Sequence, residues 1–155
     1  MNVYEKMRDM KIELPQPPGV GGIYSPIVKF GKGLVYTSGH GPIINNSNTL
    51  RGKLGQDLTV EQGQEAACLC ILNILSTLQA QIGDLNKVKR IIKILAFVAG
   101  TDNFYEQPKV MDSASKLLCD IFGDERGKAA RSAIGTNALP GNIPVEIEIL
   151  LEITE

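Results

Sequence analysis

The sequence predicts an α+β fold in which one mixed β-sheet carries two long helices on a single face. Three observations support this: two apolar helical stretches, a short β-branched run between them, and β-rich segments that are expected to form a hairpin at each end of the core. After a short N-terminal helix, the predicted order is β, β, helix, β, helix, β, β. With only two long helices, one face of the sheet would stay uncovered.

The N-terminal part is predicted as a short amphipathic helix over residues 3–12, followed by an extended connection. The stretch LPQPPGVGG contains three prolines and three glycines, which cannot sustain a helix or a central strand. The stretch YSPIVKFGKGLVYTSG is typical of a β-hairpin that turns at Gly31-Lys32-Gly33. A polar loop is expected over residues 43–57.

Capping signals and apolar spacing predict the two long helices. Thr59 and Gln62 have the spacing of a capping box, and Gly83 ends the apolar run that follows. Pro108 can open the second helix, because its missing N–H is not needed there, and Gly123 ends it. Between them, IIKILAFV is too short and too β-branched for a helix and is predicted as a buried strand.

Two closing strands are predicted at about residues 131–137 and 144–153, on either side of the turn ALPGN. In the last strand, aliphatic residues alternate with a set that would face the uncovered side: Glu146, Glu148, Leu150 and Glu152. Leu150, together with Leu95 and Phe97 of the middle strand, indicates that this side is partly buried. We therefore expect a homo-oligomer built around the uncovered faces, with clefts between subunits.

Composition indicates an ordinary globular domain. The 155 residues suffice for one domain with a sizeable core, in which residues 1–21 form the N-terminal helix and its Pro/Gly-rich extension. A formal net charge of -1 and an aromatic content of 5% disfavour nucleic acid as a partner. No secretory signal or membrane-length apolar run is recognisable, and the three cysteines suit a reducing compartment, so a cytoplasmic protein without membrane contact is expected.

The positions of Arg131 and Glu146 favour a chemical interpretation. Arg131 begins a strand on a face shared with Ala133 and Gly135, whose small side chains leave room for a carboxylate to reach the guanidinium. The alternative is a solvated strand end. Glu146 and Glu148 are either surface charges that discourage edge pairing, or one of them lies in a subunit cleft with a raised pKa and transfers a proton.

The register of the last two strands decides whether both groups can serve one substrate. If these strands form a simple hairpin about Pro140, Arg131 lies opposite a residue near 150. Glu146 is then about four residues along the strand, or roughly 13 Å away. A shared substrate would require an irregular register, non-adjacent strands or two subunits, and the sequence leaves these three arrangements open.

The sequence contains no P-loop, zinc-ligand spacing or dinucleotide fingerprint, so neither a metal nor a cofactor is expected. His40 is the single histidine. A nucleophilic triad would have to use it, yet no nucleophile elbow is present and Ser38 is too near in sequence for the usual geometry. His40 is therefore either a loop hydrogen-bonding residue or a catalyst.

The stretches YTSGHGP and ARSAIGTNALPGNIPVEIE, with the βαβα order, resemble the RidA (YjgF) family, often labelled endoribonuclease L-PSP. The resemblance covers most of the chain from about Gly22 onward, and the N-terminal helix and the long loop are similar to a longer subgroup. It implies a chorismate-mutase-like (RidA-type) fold and a homotrimer with clefts between subunits. It also implies cofactor-free hydrolysis of carboxylate-bearing enamines or imines, such as 2-aminoacrylate, to 2-keto acids and ammonia.

The resemblance further implies a role for individual residues. Arg131 corresponds to the arginine that binds the substrate carboxylate, and Glu146 to the glutamate that positions or activates water. Tyr24 and Ser38 correspond to a tyrosine and a serine of the catalytic site. The backbone at Ala133 would lie beside the substrate nitrogen.

Three residues depart from the family pattern: His40 replaces an amide side chain, Ala133 a cysteine and Asp102 an asparagine. We expect His40 to join the substrate-binding set, and His40 and Asp102 to change the electrostatics of a site meant for an anion. The alternatives are a non-catalytic small-carboxylate-binding or chaperone-like protein, and a ribonuclease or translation inhibitor. A ribonuclease is disfavoured, because this chain has neither a net positive charge to attract RNA nor paired histidines to cleave it.

Overall fold

The computed structural model describes residues 2–48 and 50–154 and has the predicted α+β architecture. The helices are α1 (Val3–Asp9), α2 (Val60–Ile82), α3 (Gln107–Phe122) and the short α4 (Asp124–Gly127). The strands of the main sheet are β1 (Ile27–Phe30), β2 (Leu34–Thr37), β5 (Val88–Ala99), β6 (Ala130–Thr136) and β7 (Val145–Ile153). Within the predicted 43–57 loop, β3 (Ile43–Ile44) and β4 (Ser47–Asn48) form a small separate hairpin.

The main sheet has the strand order β1-β2-β7-β5-β6. The hairpin of β1 and β2 is confirmed, with Phe30 paired to Leu34 across the predicted turn. The expected hairpin of the last two strands is wrong, because β7 lies between β2 and β5 and is antiparallel to both. Strand β6 instead pairs in parallel with the other edge of β5, and α3 supplies the crossover that a parallel connection needs.

The helix-capping predictions are confirmed. Thr59 accepts a hydrogen bond from the Gln62 N–H and the Gln62 side chain accepts one from the Thr59 N–H, which completes the capping box of α2. Gly83 and Gly123 follow the last residues of α2 and α3. Helix α3 starts one residue before Pro108, where a residue without an N–H is still tolerated.

The core lies between the sheet and the two long helices. Val145, Ile147, Ile149 and Leu151 of β7 are fully buried on the helix-covered face, where each aliphatic side chain contributes about 1.5–3 kcal/mol. Among the described residues, α2 is the one helix long and apolar enough to cross a membrane, which corrects the expectation that no segment approaches that length. The most apolar 18 residues of α2 are 61% buried inside the domain, as is usual for a core helix.

The N-terminal helix is shorter than predicted, because it ends at Asp9 and Lys11 has a φ of 56°. Its Val3 and Met7 are buried, and Val3 N–H donates to the Asn86 side chain, which fixes α1 beside the turn that precedes β5.

The uncovered face of the sheet carries apolar side chains, and those that the alternation placed there, Leu95, Phe97 and Leu150, are partly buried. Val28 and Phe30 of β1 and Ile134 of β6 are 55%, 44% and 46% exposed on this face. The homo-oligomer expected around it stays a prediction.

Candidate active site

Three of the predicted site residues lie around one cavity of about 600 Å³ on the uncovered side of the sheet. Tyr24 and Ser38 come from the segments before β1 and after β2, and Glu146 is the second residue of β7. They meet because β7 lies directly beside β2. We call this group the glutamate half of the site.

Glu146 lies half-buried on β7, in register with Phe97 of β5. Gly39 packs directly against its carboxylate, and a Cβ at that glycine would overlap Oε1 of Glu146. Burial, and then the nearby negative charge of Glu148, raise the pKa of the Glu146 carboxyl. This is the environment of a carboxyl group that can both take up and release a proton.

Glu148 lines the same cavity two residues further along β7. The Tyr36 hydroxyl donates a hydrogen bond of 2.5 Å to Glu148 Oε1. That bond, more than burial, raises the pKa of Tyr36. The phenol thus holds Glu148 on the uncovered face, where its charge acts on Glu146.

The segment from Ser38 to His40 is fixed on both sides. The Ser38 N–H and hydroxyl donate to the carbonyl groups of Pro26 and Ser25, at 2.9 and 2.6 Å. The backbone of His40 exchanges two hydrogen bonds with Ile147, at 2.8 and 3.0 Å. These bonds extend the β2–β7 pairing and bring Gly39 against the carboxylate of Glu146.

The ring of His40 is buried, with Nδ1 2.8 Å from the Ser38 carbonyl oxygen and Nε2 2.9 Å from Oγ1 of Thr77. Because a carbonyl oxygen only accepts, Nδ1 carries the proton and Nε2 accepts from the Thr77 hydroxyl. Burial lowers the pKa of His40, which favours the neutral ring. Both nitrogens thus bond within the protein and hold the loop, and contact of His40 with substrate stays a prediction.

Helix α2 contributes residues that the sequence analysis missed. The Asn73 amide donates to the carbonyl groups of Gly41 and Ile43, at 2.9 and 2.7 Å. Ser76 donates to the carbonyl of Pro15 at 2.6 Å. Together with Thr77, these residues attach two segments of the chain to the helix: the N-terminal extension at Pro15 and the segment from His40 to Ile43. The signal was three polar residues in the otherwise apolar stretch ILNILSTL, all of them buried.

Arg131 lies on the edge strand β6, in register with Ile94 on the helix-covered face. Its Nη1 donates to Oδ1 of Asp112 and to Oγ of Ser115 on α3, both at 3.0 Å. Its side chain is 21% exposed, so the alternative of a solvated strand end is wrong.

The residues beside Arg131 form the second half of the site. Ala133 and Gly135 follow on the same face, as the strand alternation predicted. Asp102 lies with Gln107 and Gly135 in a neighbouring concavity of about 250 Å³. We call Arg131 and these neighbours the arginine half.

One chain does not bring the two halves together. Glu146 and Arg131 lie on opposite faces of the sheet, and β5 separates their strands. The strands are thus non-adjacent, but this does not let both groups reach one substrate within a chain, and the arrangement with two subunits stays a prediction. Over residues 2–48 and 50–154, no group of three or more potential metal ligands occurs.

A family model described as YjgF/chorismate mutase-like endoribonuclease matches residues 5–152. The chain belongs to this family. The expected YjgF (RidA) membership and fold are thereby confirmed.

Among relatives, protein TCP17 of Trypanosoma cruzi is 37% identical over 151 residues, which cover 97% of this chain and 94% of TCP17. The crystal structure of Atu1372, a protein of unknown function from Agrobacterium tumefaciens, has a TM-score of 0.89 and 37% identity over 98% of this chain and 92% of that one. The crystal structure of a protein from Shewanella oneidensis, labelled an endoribonuclease, has a TM-score of 0.93 and 29% identity over 99% of this chain and 100% of that one.

Proposed function

We propose that this YjgF-family protein hydrolyses reactive enamines and imines that carry a carboxylate, releasing 2-keto acids and ammonia. One observation carries the proposal: the half-buried Glu146, with its raised pKa, lies on the wall of a cavity that also contains Tyr24 and Ser38. Such a carboxylate is a stronger base than an exposed one, which suits general base chemistry. Membership of the YjgF family supports the same reaction class, because enamine and imine hydrolysis is the activity that the resemblance to this family implies.

We propose further that the complete site forms between copies of the chain, in a homotrimer. The arginine half and the glutamate half lie on opposite faces of one sheet, so a shared ligand needs Arg131 from one copy and Glu146 from the next. The exposed apolar side chains of the uncovered face favour burial against another copy. Arg131 on an edge strand is then at a position that can face a neighbouring copy.

In the proposed reaction, an enamine first tautomerises to the imine, and Arg131 binds the substrate carboxylate. Water attacks C2 as Glu146 takes one of its protons, and this proton passes to the imine nitrogen, which gives a carbinolamine with a hydroxyl and an amino group. The hydroxyl proton is then moved by Glu146 to the amino group, the C–N bond breaks as the C=O bond forms, and ammonia leaves. The Tyr24 hydroxyl and Ser38 line the same cavity as Glu146 and can relay or orient these protons.

Ribonuclease activity, which the family description mentions, has less support in this chain. The formal net charge is -1, which gives no attraction for a phosphate backbone. Both ring nitrogens of His40 are already bonded within the protein.

The test is a panel of amino-acid-derived imines, generated in solution, with wild-type protein and two variants. We expect acceleration by wild type, loss of the acceleration in Arg131→Ala, and a loss of about 10²–10⁴-fold in kcat for Glu146→Gln. Glu152→Gln is the matched control for the glutamate, because Glu152 lies on the same face of β7 in an exposed ion pair with Lys89. Lys116→Ala is the control for the arginine, because Lys116 is an ion-paired cation on α3.

Absence of acceleration by wild type across the panel would refute the deaminase proposal. If wild type nevertheless binds 2-oxobutyrate in calorimetry and Glu146→Gln binds it equally well, the protein is a small-carboxylate binder. Size-exclusion chromatography of each variant tests the assembly independently of activity.

A further inference from the structure

We infer that Asp112 and Ser115 are positioning residues, which orient Arg131 so that its Nε/Nη2 edge receives the substrate carboxylate. The inference rests on the proposed function, since it specifies how the anchor of that site binds its ligand. It assigns a role to two residues of α3 that no motif in the sequence singled out.

The two hydrogen bonds to α3 use both protons of one guanidinium nitrogen. Nη1 carries two N–H groups, and it donates to Oδ1 of Asp112 and to Oγ of Ser115, each at 3.0 Å. Among the residues that the structure describes, these are the hydrogen bonds of the Arg131 side chain. Nε–H and Nη2–H remain, and they share one edge of the planar group with the spacing that fits both oxygens of a carboxylate.

Two contacts to one nitrogen fix the plane of the guanidinium more tightly than one contact would. Asp112 and Ser115 are three residues apart in α3, so their side chains are neighbours on one face of the helix. Their helix packs along β6, so the arginine is held between a strand and a rigid helix. A ligand that binds a preoriented side chain does not bear the entropy loss of ordering it.

Asp112 also carries a negative charge, which opposes binding of an anion. Its side chain is 70% exposed, whereas that of Arg131 is 21% exposed. Water and salt therefore screen the repulsion, and an ion pair with one partner so exposed contributes little to stability. The orienting effect on Arg131 is expected to exceed the electrostatic one.

The experiment compares Asp112→Ala, Asp112→Asn and Ser115→Ala with wild type, by calorimetric titration of 2-oxobutyrate and by steady-state imine hydrolysis. Releasing the guanidinium should weaken 2-oxobutyrate binding by about 2- to 13-fold, the cost of immobilising one long side chain. KM should rise by a similar factor with kcat nearly unchanged, because the anchor binds ground state and transition state alike. Asp112→Asn retains a carbonyl acceptor and should stay close to wild type.

Asp120→Asn is the matched control, because Asp120 is on the same helix in an ion pair with Lys116 and outside both halves of the site. It should leave Kd and KM unchanged. If wild type is active while Asp112→Ala and Ser115→Ala keep wild-type Kd and KM, or bind the acid more tightly, the positioning role is refuted and the proposed function stands. If wild type neither binds 2-oxobutyrate nor hydrolyses imines, the proposed function fails and the inference fails with it.

Discussion

The glutamate half and the arginine half hold their charged groups by different means. Arg131 is fixed by two hydrogen bonds from its own chain. Glu146 has no hydrogen-bonded side-chain partner among the described residues and is held by packing against Gly39, beside the charge of Glu148. The hydrogen bonds of Arg131 fix the orientation of a group that is always charged. The packing around Glu146 leaves its carboxyl group able to gain and lose a proton.

This difference indicates how each half should respond to mutation. The arginine half should be sensitive to loss of hydrogen-bond acceptors on α3, which changes ligand affinity. The glutamate half should be sensitive to small changes of space and charge, which alter catalysis and its pH dependence. We expect the following effects in the glutamate half and in the Ser38–His40 segment next to it, from the largest to the smallest.

Gly39→Ala should have the largest effect. The new methyl group would overlap the carboxylate of Glu146, and the flexible end of that side chain can move away. We expect the free energy of unfolding to change by less than about 1 kcal/mol, while imine hydrolysis falls by about 10²-fold, since a displacement near 1 Å is enough for such a loss. Chemical denaturation and steady-state kinetics measure the two quantities.

Gly19→Ala is the control for that substitution, because a Cβ there would meet Asn46 Oδ1 at an ordinary 3.7 Å. Equal losses of activity in both variants would contradict the role given to close packing at Gly39.

Thr77→Val should destabilise the protein through His40. The valine removes the hydroxyl that donates to Nε2 and leaves a buried acceptor without a partner, at a cost of about 1–2 kcal/mol. Activity should fall as the Ser38–His40 segment loosens. Thr77→Ser keeps the hydroxyl and should retain most of the stability. Denaturation curves in which Thr77→Val and wild type coincide would show that the ring does not hold the loop.

Glu148→Gln should change the pH dependence of activity. Burial first, and then the charge of Glu148, raise the pKa of Glu146, so removing that charge lowers this pKa part of the way toward its ordinary value. Because the ionised form is the base, activity on the acid side should persist to lower pH than in wild type. The pH profile of kcat/KM measures this, and Glu152→Gln should leave it unchanged.

The same substitution has a stability consequence of defined sign. An acid whose pKa is raised by folding binds its proton more tightly in the folded state. It therefore favours the fold at low pH and opposes it as pH rises through the folded pKa. Glu148→Gln should therefore reduce the loss of folding free energy that occurs when the pH rises above the pKa of Glu146 in the folded protein.

The sequence by itself determined the local elements and the direction of the last strand's side chains. The capping box of Thr59 and Gln62 and the stop at Gly83 correctly predicted where α2 begins and ends. This was possible because capping depends on groups within a few residues of each other. The alternation in β7 correctly placed Glu146 on the uncovered face, because side chains of a strand point to opposite faces in turn.

Only the tertiary structure decided which strands are neighbours. The sequence analysis paired β6 with β7 because they are adjacent in the chain. The fully buried aliphatic residues of β7 instead place it at the centre of the sheet, and β6, with Ala133 and Gly135, lies at the edge. Strand order follows from burial of surface between residues far apart in sequence, which no local pattern encodes. For the same reason, the separation of Arg131 from Glu146 and the bond of His40 to Thr77 became visible only in the fold.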